Sequence, residues 1–407
     1  MKHIVLGISG GIAAYKSAEL VRLLGKQGFR VSVVMTEGAK QFITPLTLAT
    51  LSGESVYDSL WDNRSGIDSN IAHINLTREA DAMLIVPCTA NVMAKIAHGV
   101  ADDLLTNLIL ARDPQKCPLA IAPAMNIQMW QNPATQRNLA QIRADGIHVF
   151  GPADGEQACG ETGAGRMLEP HEILAILPRL FNAPILAGKR VLLTAGPTFE
   201  AIDPVRGITN HSSGKMGYAL AQAAANAGAI VTLISGKTAL PTPVGVTRID
   251  VQSADEMLAA CQQNISHQDI FIAVAAVADW KPAQIAQQKI KKSSANDAPT
   301  LAFVQTPDIL ATIAAQPNAP YCVGFAAESE NVIEYAQAKR LKKNIPLIIA
   351  NQGPATFGSD HNRVSLITAQ GVENLPEMQK DELAHVLVQS IAQHFAEHER
   401  HSQTALP

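Results

Sequence analysis

The stretch HIVLGISGGIAAYKSAEL, residues 3–20, decides the fold of the first part of the chain. It begins with an apolar run, His3–Ile8, passes through Ser9, Gly10 and Gly11, and then becomes rich in Ala and Leu. A short β-branched run predicts a buried strand, and the glycines after it predict a tight turn that opens a helix. This order is typical of a parallel sheet with crossover helices.

The same rhythm recurs along the chain. In the first half, further runs that predict strands lie at Arg30–Met35, Ala82–Val86, Leu119–Ala122 and His148–Phe150. A second series lies at Arg190–Thr194, Ile230–Ser235, Phe271–Val274, Cys322–Phe325, Leu347–Ala350 and Val364–Thr368. Strands that alternate with helical stretches predict an α/β architecture. We therefore expect two doubly wound domains.

The boundary between the two series falls within Arg179–Gly188, where LFNAPILAG interrupts the helical pattern. A chain of 407 residues is also longer than a single hydrophobic core usually organises. We predict a first domain at residues 1–186 and a second at residues 187–407.

The charge pattern excludes some classes of partner. The formal net charge is −4, and acids and bases are interspersed without a long basic run. Nucleic-acid surfaces are strongly basic, so we expect no nucleic-acid partner. The apolar start of the chain is interrupted by glycine at Gly7 and again at Gly10. It is too short for a signal peptide or a spanning helix, so we expect no membrane partner and a cytoplasmic location.

The chain has five cysteines: Cys88, Cys117, Cys159, Cys261 and Cys322. No CxxC pair is present, although zinc sites and redox couples usually contain one. All except Cys159 lie in or beside apolar runs, and we expect these four in the core. Cys159 lies in the glycine-rich segment Gly155–Arg166, which is typical of a flexible flap.

Three motifs resemble known sites but lack the context that those sites require. The GAG at residues 163–165 begins like a dinucleotide fingerprint, but the third glycine is missing. The GKT at residues 236–238 resembles the end of a P-loop, but the upstream glycine is missing. His394, His398 and His401 have helical spacing, but acidic and basic neighbours indicate a solvated helix end.

Small and polar residues follow four predicted strands of the first domain, at Ser9–Gly11, Met35–Ala39, Pro87–Asn91 and Pro123–Asn126. In open parallel sheets, ligands bind beyond the carboxyl ends of the strands, and helix N-termini there favour phosphate. The sequence therefore predicts one ligand crevice. Taken singly, His73 is compatible with a histidine at a strand end, Asn126 with a helix cap and Cys159 with a buried thiol.

Four motifs together resemble the flavin-containing cysteine decarboxylases. They are SGGIAAYK from Ser9, AHINL with His73, PAMN ending at Asn126, and Ala158-Cys159-Gly160. The resemblance spans nearly the whole first domain and implies a flavodoxin-like, Rossmann-like flavoprotein fold. It implies that FMN is held by Ser9, Gly10, Gly11, Thr36, Thr89, Ala90 and Asn91. It places three residues around the substrate: His73, Asn126 and Cys159.

The implied chemistry agrees with these residue types. Decarboxylation of an ordinary cysteine amide would leave a carbanion without an electron sink. A flavin that first oxidises the thiol to a thioaldehyde creates that sink. His73 is then a base or orienting group, and Asn126 is a donor to the carboxylate. Cys159 is the acid that protonates the enethiol as reduced flavin returns hydride.

Polar loops also follow strands of the second series. The first strand of this series ends in the polar stretch Thr194–Thr198. The loop Asp203–Gly217 leads into a helix and could bind anions. The basic cluster Lys289–Lys292 precedes the polar stretch Ser293–Asp297, which suggests a mobile loop that closes over phosphates. These segments resemble phosphopantothenoylcysteine synthetase and imply a Rossmann-like ligase domain. The order of the two domains resembles that of the bifunctional coenzyme A biosynthesis proteins.

This resemblance implies that CTP activates 4′-phosphopantothenate as an acyl-cytidylate, which the amine of L-cysteine then attacks. Asp279 would hold Mg²⁺ on the triphosphate, Lys289 would supply positive charge, and Asn210 would steady the acyl intermediate. The CTP contacts implied besides Asp279 and Lys289 are Ala273, Val274, Ala275, Pro307, Asp308, Ile309, Leu310, Phe325, Lys339 and Lys343. Without the resemblance, these last two lysines would suit a solvated helix face.

Two other classes of protein agree with parts of the sequence. A non-catalytic flavin-fold regulatory or binding protein would be favoured if His73 or Cys159 were absent, but both are present. An NAD-dependent oxidoreductase needs the dinucleotide fingerprint that is missing. The resemblance also implies trimeric contacts between decarboxylase domains and dimeric contacts between ligase domains, and therefore a homododecamer.

Overall fold

The computed structural model describes residues 1–60, 72–158, 160–291, 300–353 and 359–404. Its contacts divide the chain into two compact units, Met1–Asn182 and Ala183–Pro407. The division falls inside the break predicted at Arg179–Gly188. Leu186 is buried in the core of the second unit, and its backbone N–H donates to the carbonyl of Ala227 at 2.8 Å. The second unit therefore begins a few residues before the predicted boundary.

The first unit is built on a five-stranded sheet. Its strands are β1 (His3–Ile8), β2 (Arg30–Met35), β3 (Ala82–Cys88), β4 (Leu119–Pro123) and β5 (His148–Val149). They lie in the order β2-β1-β3-β4-β5, which is the flavodoxin order, and every neighbouring pair is parallel. All five strands predicted for this half are confirmed.

Helices cover both faces of this sheet. The α-helices are α1 (Lys16–Lys26), α2 (Pro45–Ser52), α3 (Ala72–Glu79), α4 (Ala90–His98), α5 (Leu104–Ala111), α6 (Ile127–Gln131), α7 (Pro133–Ala144) and α8 (Pro170–Ile176). Shorter 3-10 helices lie at Ile12–Tyr15, Ala39–Gln41 and Leu177–Leu180. Neighbouring residues of β1 point to opposite faces, yet all six are buried. Because both faces are covered, β1 is a continuous apolar run without alternation.

The helix predicted after β1 is present, with one difference at its start. Its first turn, Ile12–Tyr15, is a 3-10 helix, and the α-helix proper begins at Lys16. Leu20 and Leu24 of this helix are fully buried, and each contributes about 1.5–3 kcal/mol to the free energy of folding.

A separate antiparallel hairpin follows β5. It consists of β6 (Ala153–Glu156) and β7 (Thr162–Arg166), and we name residues 153–166 the flap. The GAG at residues 163–165 lies within β7, so it is not the strand-to-helix turn of a dinucleotide site.

In the described part of the second unit there are a larger sheet and three small ones. The strands are β8 (Arg190–Ala195), β9 (Phe199–Ala201), β10 (Gly207–Thr209), β11 (Ile230–Ser235), β12 (Val246–Asp250), β13 (Ile270–Ala273), β14 (Trp280–Pro282), β15 (Phe303–Gln305), β16 (Tyr321–Glu328), β17 (Leu347–Gln352), β18 (His361–Asn362), β19 (Val364–Ile367), β20 (Val372–Asn374) and β21 (Met378–Gln379). The main sheet has the order β12-β11-β8-β13-β16-β17-β19-β20. The small sheets pair β9 with β10, β14 with β15, and β18 with β21.

Helices again lie on both faces of the main sheet. They are α9 (Lys215–Asn226), α10 (Ala254–Asn264), α11 (Ile309–Ala314), α12 (Val332–Lys343) and α13 (Lys380–Thr404). One core cluster joins α9 and α13 to Val191 and Leu193 of β8. A second cluster joins α10 and α11 to Leu192 of the same strand. The alternation along β8 shows that this unit, too, is doubly wound.

The six strands predicted for this half are present, but one differs in direction. Val364–Ile367 pairs antiparallel with β17, and β20 pairs antiparallel with it in turn. The other pairs of the main sheet are parallel. Apolar periodicity identifies a strand but carries no information on its direction, so the sequence alone could not show this antiparallel edge.

Within the described part of the chain, no helix is both long enough and apolar enough to cross a membrane.

Candidate functional site

The carboxyl edge of the first sheet brings together the loops that the sequence indicated. The Ser9 hydroxyl donates to the carbonyl of Pro87 at 2.8 Å and accepts from the backbone N–H of Thr89 at 3.0 Å. Thr36 donates its N–H to the carbonyl of Ile8 at 3.1 Å. The turns after β1, β2 and β3 therefore meet at one edge, as expected for neighbouring parallel strands.

The Ser9 hydroxyl does not face a position where a ligand could contact it. Its side chain is fully buried, and its hydroxyl is occupied on both sides by the β3 turn. Ser9 therefore ties the β1 turn to the β3 turn, and it shapes the crevice without offering its hydroxyl to a ligand.

Gly10 is where two of these turns approach most closely. A Cβ atom at Gly10 would lie 2.5 Å from the carbonyl carbon of Gly38, a backbone atom that cannot move aside. Gly11 is more open, since its nearest contact from a Cβ would be the Thr89 side chain at 3.5 Å. Position 10 therefore requires glycine, because the turns after β1 and β2 are packed backbone against backbone at this point.

Thr89, Ala90 and Asn91 form the start of α4. The Thr89 hydroxyl caps this helix by accepting from the N–H of Val92 at 3.4 Å. Ala90 and Asn91 are the first residues of the helix, and Asn91 is exposed. The N-terminal amides of α4 thus face the same edge of the sheet, where they favour negative charge.

Asn126 is a helix cap, one of the two possibilities that the sequence left open. Its side-chain oxygen accepts from the N–H of Met129 at 2.9 Å and caps α6. This bond fixes the orientation of the amide. The NH₂ group makes no hydrogen bond to the described residues and is therefore available as a donor to a carboxylate.

The flap packs directly against the Asn126 segment. The carbonyl of Gly165 accepts from the N–H of Met125 at 3.0 Å, and a Cβ at Gly165 would lie 2.4 Å from the Met125 oxygen. Gln157 adds a second link, since its side-chain oxygen accepts from the N–H of Ile127 at 3.0 Å. Sequence reasoning did not single out Gln157, although its place two residues before Cys159 was a usable signal.

Two candidate catalytic residues of this domain are only partly located. Cys159 lies outside the described residues, between Ala158 and Gly160 of the flap. His73 belongs to α3, so it is not a histidine at a strand end, and its side chain is outside the described set. The structure therefore brings the Asn126 segment together with Gln157 and Gly165 of the flap but gives no side-chain geometry for His73 or Cys159.

The other cysteines are buried, as predicted. Cys88, Cys117, Cys261 and Cys322 are each at most 2% exposed. Burial raises the pKa of the Cys117 thiol to about 11, and the pKa values of the Cys261 and Cys322 thiols to about 12. These thiols remain protonated at neutral pH, which removes them as candidate nucleophiles.

The carboxyl edge of the second sheet forms a separate candidate site. The β13 loop runs beside the β8 loop: the Thr194 hydroxyl accepts from the N–H of Ala275 at 3.3 Å, and the carbonyl of Gly196 accepts from the N–H of Ala276 at 2.9 Å. Ala273, Val274 and Ala275 are all half-buried. Their backbone therefore lines the sheet edge where nucleotides bind in this class of fold.

Glycines allow a close approach between this loop and α9. Gly196 and Gly214 both have φ in the left-handed region, at +74° and +77°. A Cβ at Gly236 would lie 2.0 Å from the carbonyl oxygen of Pro197. A Cβ at Gly214, which precedes α9, would lie 2.9 Å from the Thr238 side chain and 3.5 Å from the Cα of Gly196. The start of α9 is thus packed closely against the β8 loop, and its N-terminal amides favour an anion.

Asn210 lies in the loop that leads to α9. Its side-chain NH₂ donates to the carbonyls of Ala276 and Val277, at 3.2 and 3.0 Å. Two carbonyl partners fix which end of the amide is the nitrogen. Asn210 can therefore offer a further partner only its oxygen, a hydrogen-bond acceptor suited to an amine.

The predicted nucleotide contacts on α11 and α12 are joined by an ion pair. Asp308 caps α11 by accepting from the N–H of Ala311 at 3.0 Å, and it accepts from Lys343 at 2.6 Å. Pro307 precedes this cap, and Ile309 and Leu310 are buried behind it. Lys339 pairs instead with Glu328, at 2.6 Å.

Phe325 is half-buried in the middle of β16 and packs against the core shared with α9 and α13. It lies before the last three residues of its strand, near the carboxyl edge of the sheet.

Asp279 and Lys289 are both exposed. The carbonyl of Asp279 accepts from the N–H of Thr306 at 3.0 Å, which fixes the backbone where β14 begins. The polar stretch Ser293–Asp297, predicted as a mobile loop, lies outside the described residues.

Among the residues that the structure describes, no group of three or more His, Cys, Asp or Glu side chains could hold a metal ion. The C-terminal histidines have other contacts: His394 lies 3.6 Å from Glu397, and His398 packs on the ring of Tyr321. A single carboxylate such as Asp279 fits Mg²⁺ bound chiefly through substrate phosphates and water, and it does not fit an all-protein metal site.

Comparison with known protein families matches both halves of the chain. The DNA/pantothenate metabolism flavoprotein C-terminal domain family matches residues 186–395, and the flavoprotein family matches residues 1–182. Among solved structures, the C-terminal domain of a coenzyme A biosynthesis bifunctional protein is 40% identical and covers 53% of this chain and 100% of its own, with a TM-score of 0.46. An FMN-dependent cysteine decarboxylase, SpaF, is 34% identical and covers 40% of this chain and 90% of its own, with a TM-score of 0.36.

Full-length relatives extend the match. The coenzyme A biosynthesis bifunctional protein of Vibrio cholerae is 53% identical over 394 residues, which are 96% of this chain and 98% of the relative. That of Escherichia coli is 47% identical over 406 residues, 98% of each chain. Since such relatives align along almost the whole sequence, the chain belongs to the family of bifunctional coenzyme A biosynthesis proteins and is an enzyme of that biosynthesis.

Proposed function

We propose that the second unit joins 4′-phosphopantothenate to L-cysteine with CTP, and that the first unit decarboxylates the product to 4′-phosphopantetheine. The observation that carries the proposal is the family membership of both halves along one continuous chain. The two carboxyl-edge sites support it, because each has the backbone amides and polar side chains that its substrate requires.

The ligation needs an activated carboxyl group, since a carboxylate is a poor electrophile. Attack of the 4′-phosphopantothenate carboxylate on the α-phosphate of CTP gives an acyl-cytidylate and pyrophosphate. The cysteine amine then attacks the acyl carbon, and CMP leaves. The exposed Lys289 would neutralise the charge that builds on the phosphates, and the Asn210 oxygen would accept from the amine.

The nucleotide would lie along the edge from β13 to α12. The contacts proposed for CTP are Ala273, Val274, Ala275, Asp279, Lys289, Pro307, Asp308, Ile309, Leu310, Phe325, Lys339 and Lys343. Lys339 and Lys343 are each paired with a carboxylate, so the triphosphate would replace or share those partners. Mg²⁺ on the triphosphate, held by Asp279, would supply further charge neutralisation.

The crevice of the first unit fits flavin mononucleotide. The turns that carry Gly10, Gly11 and Thr36 meet at this edge, Gly11 has room beside it, and the amides at Thr89, Ala90 and Asn91 suit a phosphate. Bound flavin would supply oxidation of the substrate thiol, which creates the electron sink for decarboxylation. In this proposal Ser9 positions the β1 and β3 turns and does not bind the flavin through its hydroxyl.

Three side chains would act on the substrate in the first unit. The Asn126 NH₂ would hold the departing carboxylate, because the cap on α6 points its oxygen away from that task. His73 would orient or deprotonate the substrate, and Cys159 would protonate the enethiol that remains after carbon dioxide leaves.

We further propose that the chain assembles through both units into a homododecamer. Each unit exposes large apolar side chains: Ile12, Tyr15 and Leu46 in the first, and Trp280 and Phe303 in the second. Exposed apolar groups on two separate units are consistent with two kinds of subunit contact. Light scattering tests this, and a monomer or dimer mass at working concentration would contradict it.

The experiment that tests the decarboxylase half uses Cys159→Ser with supplied phosphopantothenoylcysteine. Release of carbon dioxide should continue, but the final reduction should stall and leave a product two hydrogens lighter than 4′-phosphopantetheine. Mass spectrometry distinguishes the two. Normal output of 4′-phosphopantetheine would contradict the role of Cys159.

A further inference from the structure

The segment that carries Lys289 is attached to the loop between β9 and β10, residues 202–206, at two points. The N–H of Ala286 donates to the carbonyl of Ile202 at 3.0 Å. The N–H of Ile290 donates to the carboxylate of Asp203 at 3.2 Å. Because Lys289 directly precedes Ile290, the position of its backbone depends on the second contact.

The two carboxylate oxygens of Asp203 have separate partners. One of them, Oδ1, accepts from the backbone N–H groups of Val205 and Arg206, each at 2.9 Å, and closes the turn. The other, Oδ2, accepts from the Arg206 guanidinium, with Nε at 3.0 Å, and from Ile290. The Asp203 side chain has no exposed surface. Oδ1 therefore forms the loop, and Oδ2 connects the loop to the Lys289 segment.

Arg206 completes the connection from the other side. Its guanidinium donates to the carbonyl of Ile290 at 2.8 Å, so both backbone polar groups of Ile290 are bound by the Asp203–Arg206 pair. The hydrogen bonds from Arg206 hold the pKa of Asp203 well below its ordinary value, so the carboxylate stays charged at neutral pH. A planar guanidinium fixes geometry more strictly than an ammonium does.

We propose that Asp203 is a positioning residue for the ligation: through Arg206 and Ile290 it fixes the backbone beside Lys289 and keeps the Lys289 ammonium where it meets the nucleotide phosphates. This inference rests on the role proposed above for Lys289. Asp203 does not itself touch the substrate, since its side chain is enclosed by the protein.

The test is Asp203→Asn in the full-length holoenzyme. Asparagine keeps an oxygen for the turn but places an NH₂ group opposite Arg206 and Ile290, which are donors. Pyrophosphate release from CTP, Mg²⁺ and 4′-phosphopantothenate without cysteine reports the first step. Because no amine is present to release the acyl-cytidylate, this is a single turnover, and we expect its rate constant to fall by about 100-fold. Decarboxylation of supplied phosphopantothenoylcysteine should not change.

A double-mutant cycle separates positioning from general damage. If Asp203 acts through Lys289, Asp203→Asn combined with Lys289→Gln should be no slower than Lys289→Gln alone. Losses that multiply would overturn the inference. Normal pyrophosphate release by Lys289→Gln alone would instead refute the role of Lys289, and the inference would fall with it.

Hydrogen exchange gives a readout independent of activity. In folded Asp203→Asn, the Ile290 amide should exchange faster while β8 remains protected, and unchanged exchange at Ile290 would overturn the inference. If the variant does not fold, Ile290→Pro removes the N–H and leaves the Asp203–Arg206 pair. Normal ligation by that variant would also overturn it. The matched control, Asp250→Asn, breaks the pair between the exposed Asp250 carboxylate and Arg248 and should leave both activities intact.

Discussion

At the scale of single residues, a structural role and a chemical role can belong to one side chain. The sequence of the PAMN segment allowed Asn126 to be a helix cap or a donor to substrate. The cap on α6 occupies only the oxygen of the amide, so the structure leaves the NH₂ for the second role. The cap does not compete with the chemistry; it orients the donor.

This dual role makes a sharp prediction for Asn126→Asp. Aspartate caps a helix as well as asparagine does, so the fold should be retained. The donor, however, is replaced by an anion that repels the substrate carboxylate. We expect kcat for decarboxylation of supplied phosphopantothenoylcysteine to fall by about 100- to 1,000-fold, with an unchanged thermal midpoint.

The chain offers a matched control for this variant. Asn132 caps α7 in the same way, with its oxygen accepting from the N–H of Ala134 at 2.9 Å. Asn132→Asp should therefore leave decarboxylation intact. An active Asn126→Asp enzyme, or an equal loss at Asn132, would show that position 126 is only a cap.

Ser9 and Gln157 show what the sequence could not predict at this scale. A serine in a turn at a sheet edge suggests a ligand contact, but whether its hydroxyl faces the ligand depends on the neighbouring strand. Here that strand's turn occupies it. The link from Gln157 to Ile127 is equally non-local, joining residues thirty positions apart in sequence.

At the scale of elements, the positions of the strands in the main sheets could be predicted from the sequence, but the direction in which they pair could not. Buried strands of a parallel sheet are short, continuous apolar runs, and all the runs named from the sequence are strands. The small hairpins and the antiparallel edge at β19 were not predicted. The residues of β15 and β20 are exposed and lack the apolar pattern of a buried strand. The direction of β19 is set by its pairing with β17, which an apolar pattern does not show.

The pairing of α11 with α12 predicts a pH dependence. Burial raises the pKa of Asp308, but the hydrogen bonds from Lys343 and from the Ala311 backbone outweigh it and lower the pKa below its ordinary value. A carboxyl group with a depressed folded pKa stabilises the fold above its unfolded pKa. That stabilisation is lost as the pH falls through the folded pKa.

Lys343→Gln should therefore lower the thermal midpoint of the second unit at neutral pH. The difference from the parent should begin to shrink as the pH falls below about 4, the ordinary pKa of an aspartate, and should vanish once the pH is below the depressed pKa of Asp308 in the folded parent. Thermal unfolding across a pH series measures it, with the exposed Lys237→Gln as control. A difference that stays constant over that range would show that the ion pair does not contribute to stability.

At the scale of the whole molecule, the chain forms two units with separate cores and separate sheet-edge sites. The sequence indicated this division because the strand rhythm stops and restarts near one interruption. The sequence pattern did not show that Leu186 belongs to the second unit, because its burial depends on contacts with that unit's core.

Separate units predict separable activities. Lys289→Gln should reduce ligation at least about 100-fold, since a charge that neutralises the phosphates in the transition state is lost. Decarboxylation of supplied phosphopantothenoylcysteine should be unaffected, because the substitution lies in the other unit. Parallel assays of the two reactions on one preparation measure both effects, and loss of both activities would argue against independent sites.

The central claim is that one chain carries out both reactions in sequence. The most direct test incubates the purified protein with 4′-phosphopantothenate, L-cysteine, Mg²⁺ and either CTP or ATP, and follows the products by mass spectrometry. We predict 4′-phosphopantetheine, CMP and pyrophosphate in the CTP reaction. Accumulation of phosphopantothenoylcysteine alone would contradict the decarboxylase half, and absence of both products would contradict the claim as a whole.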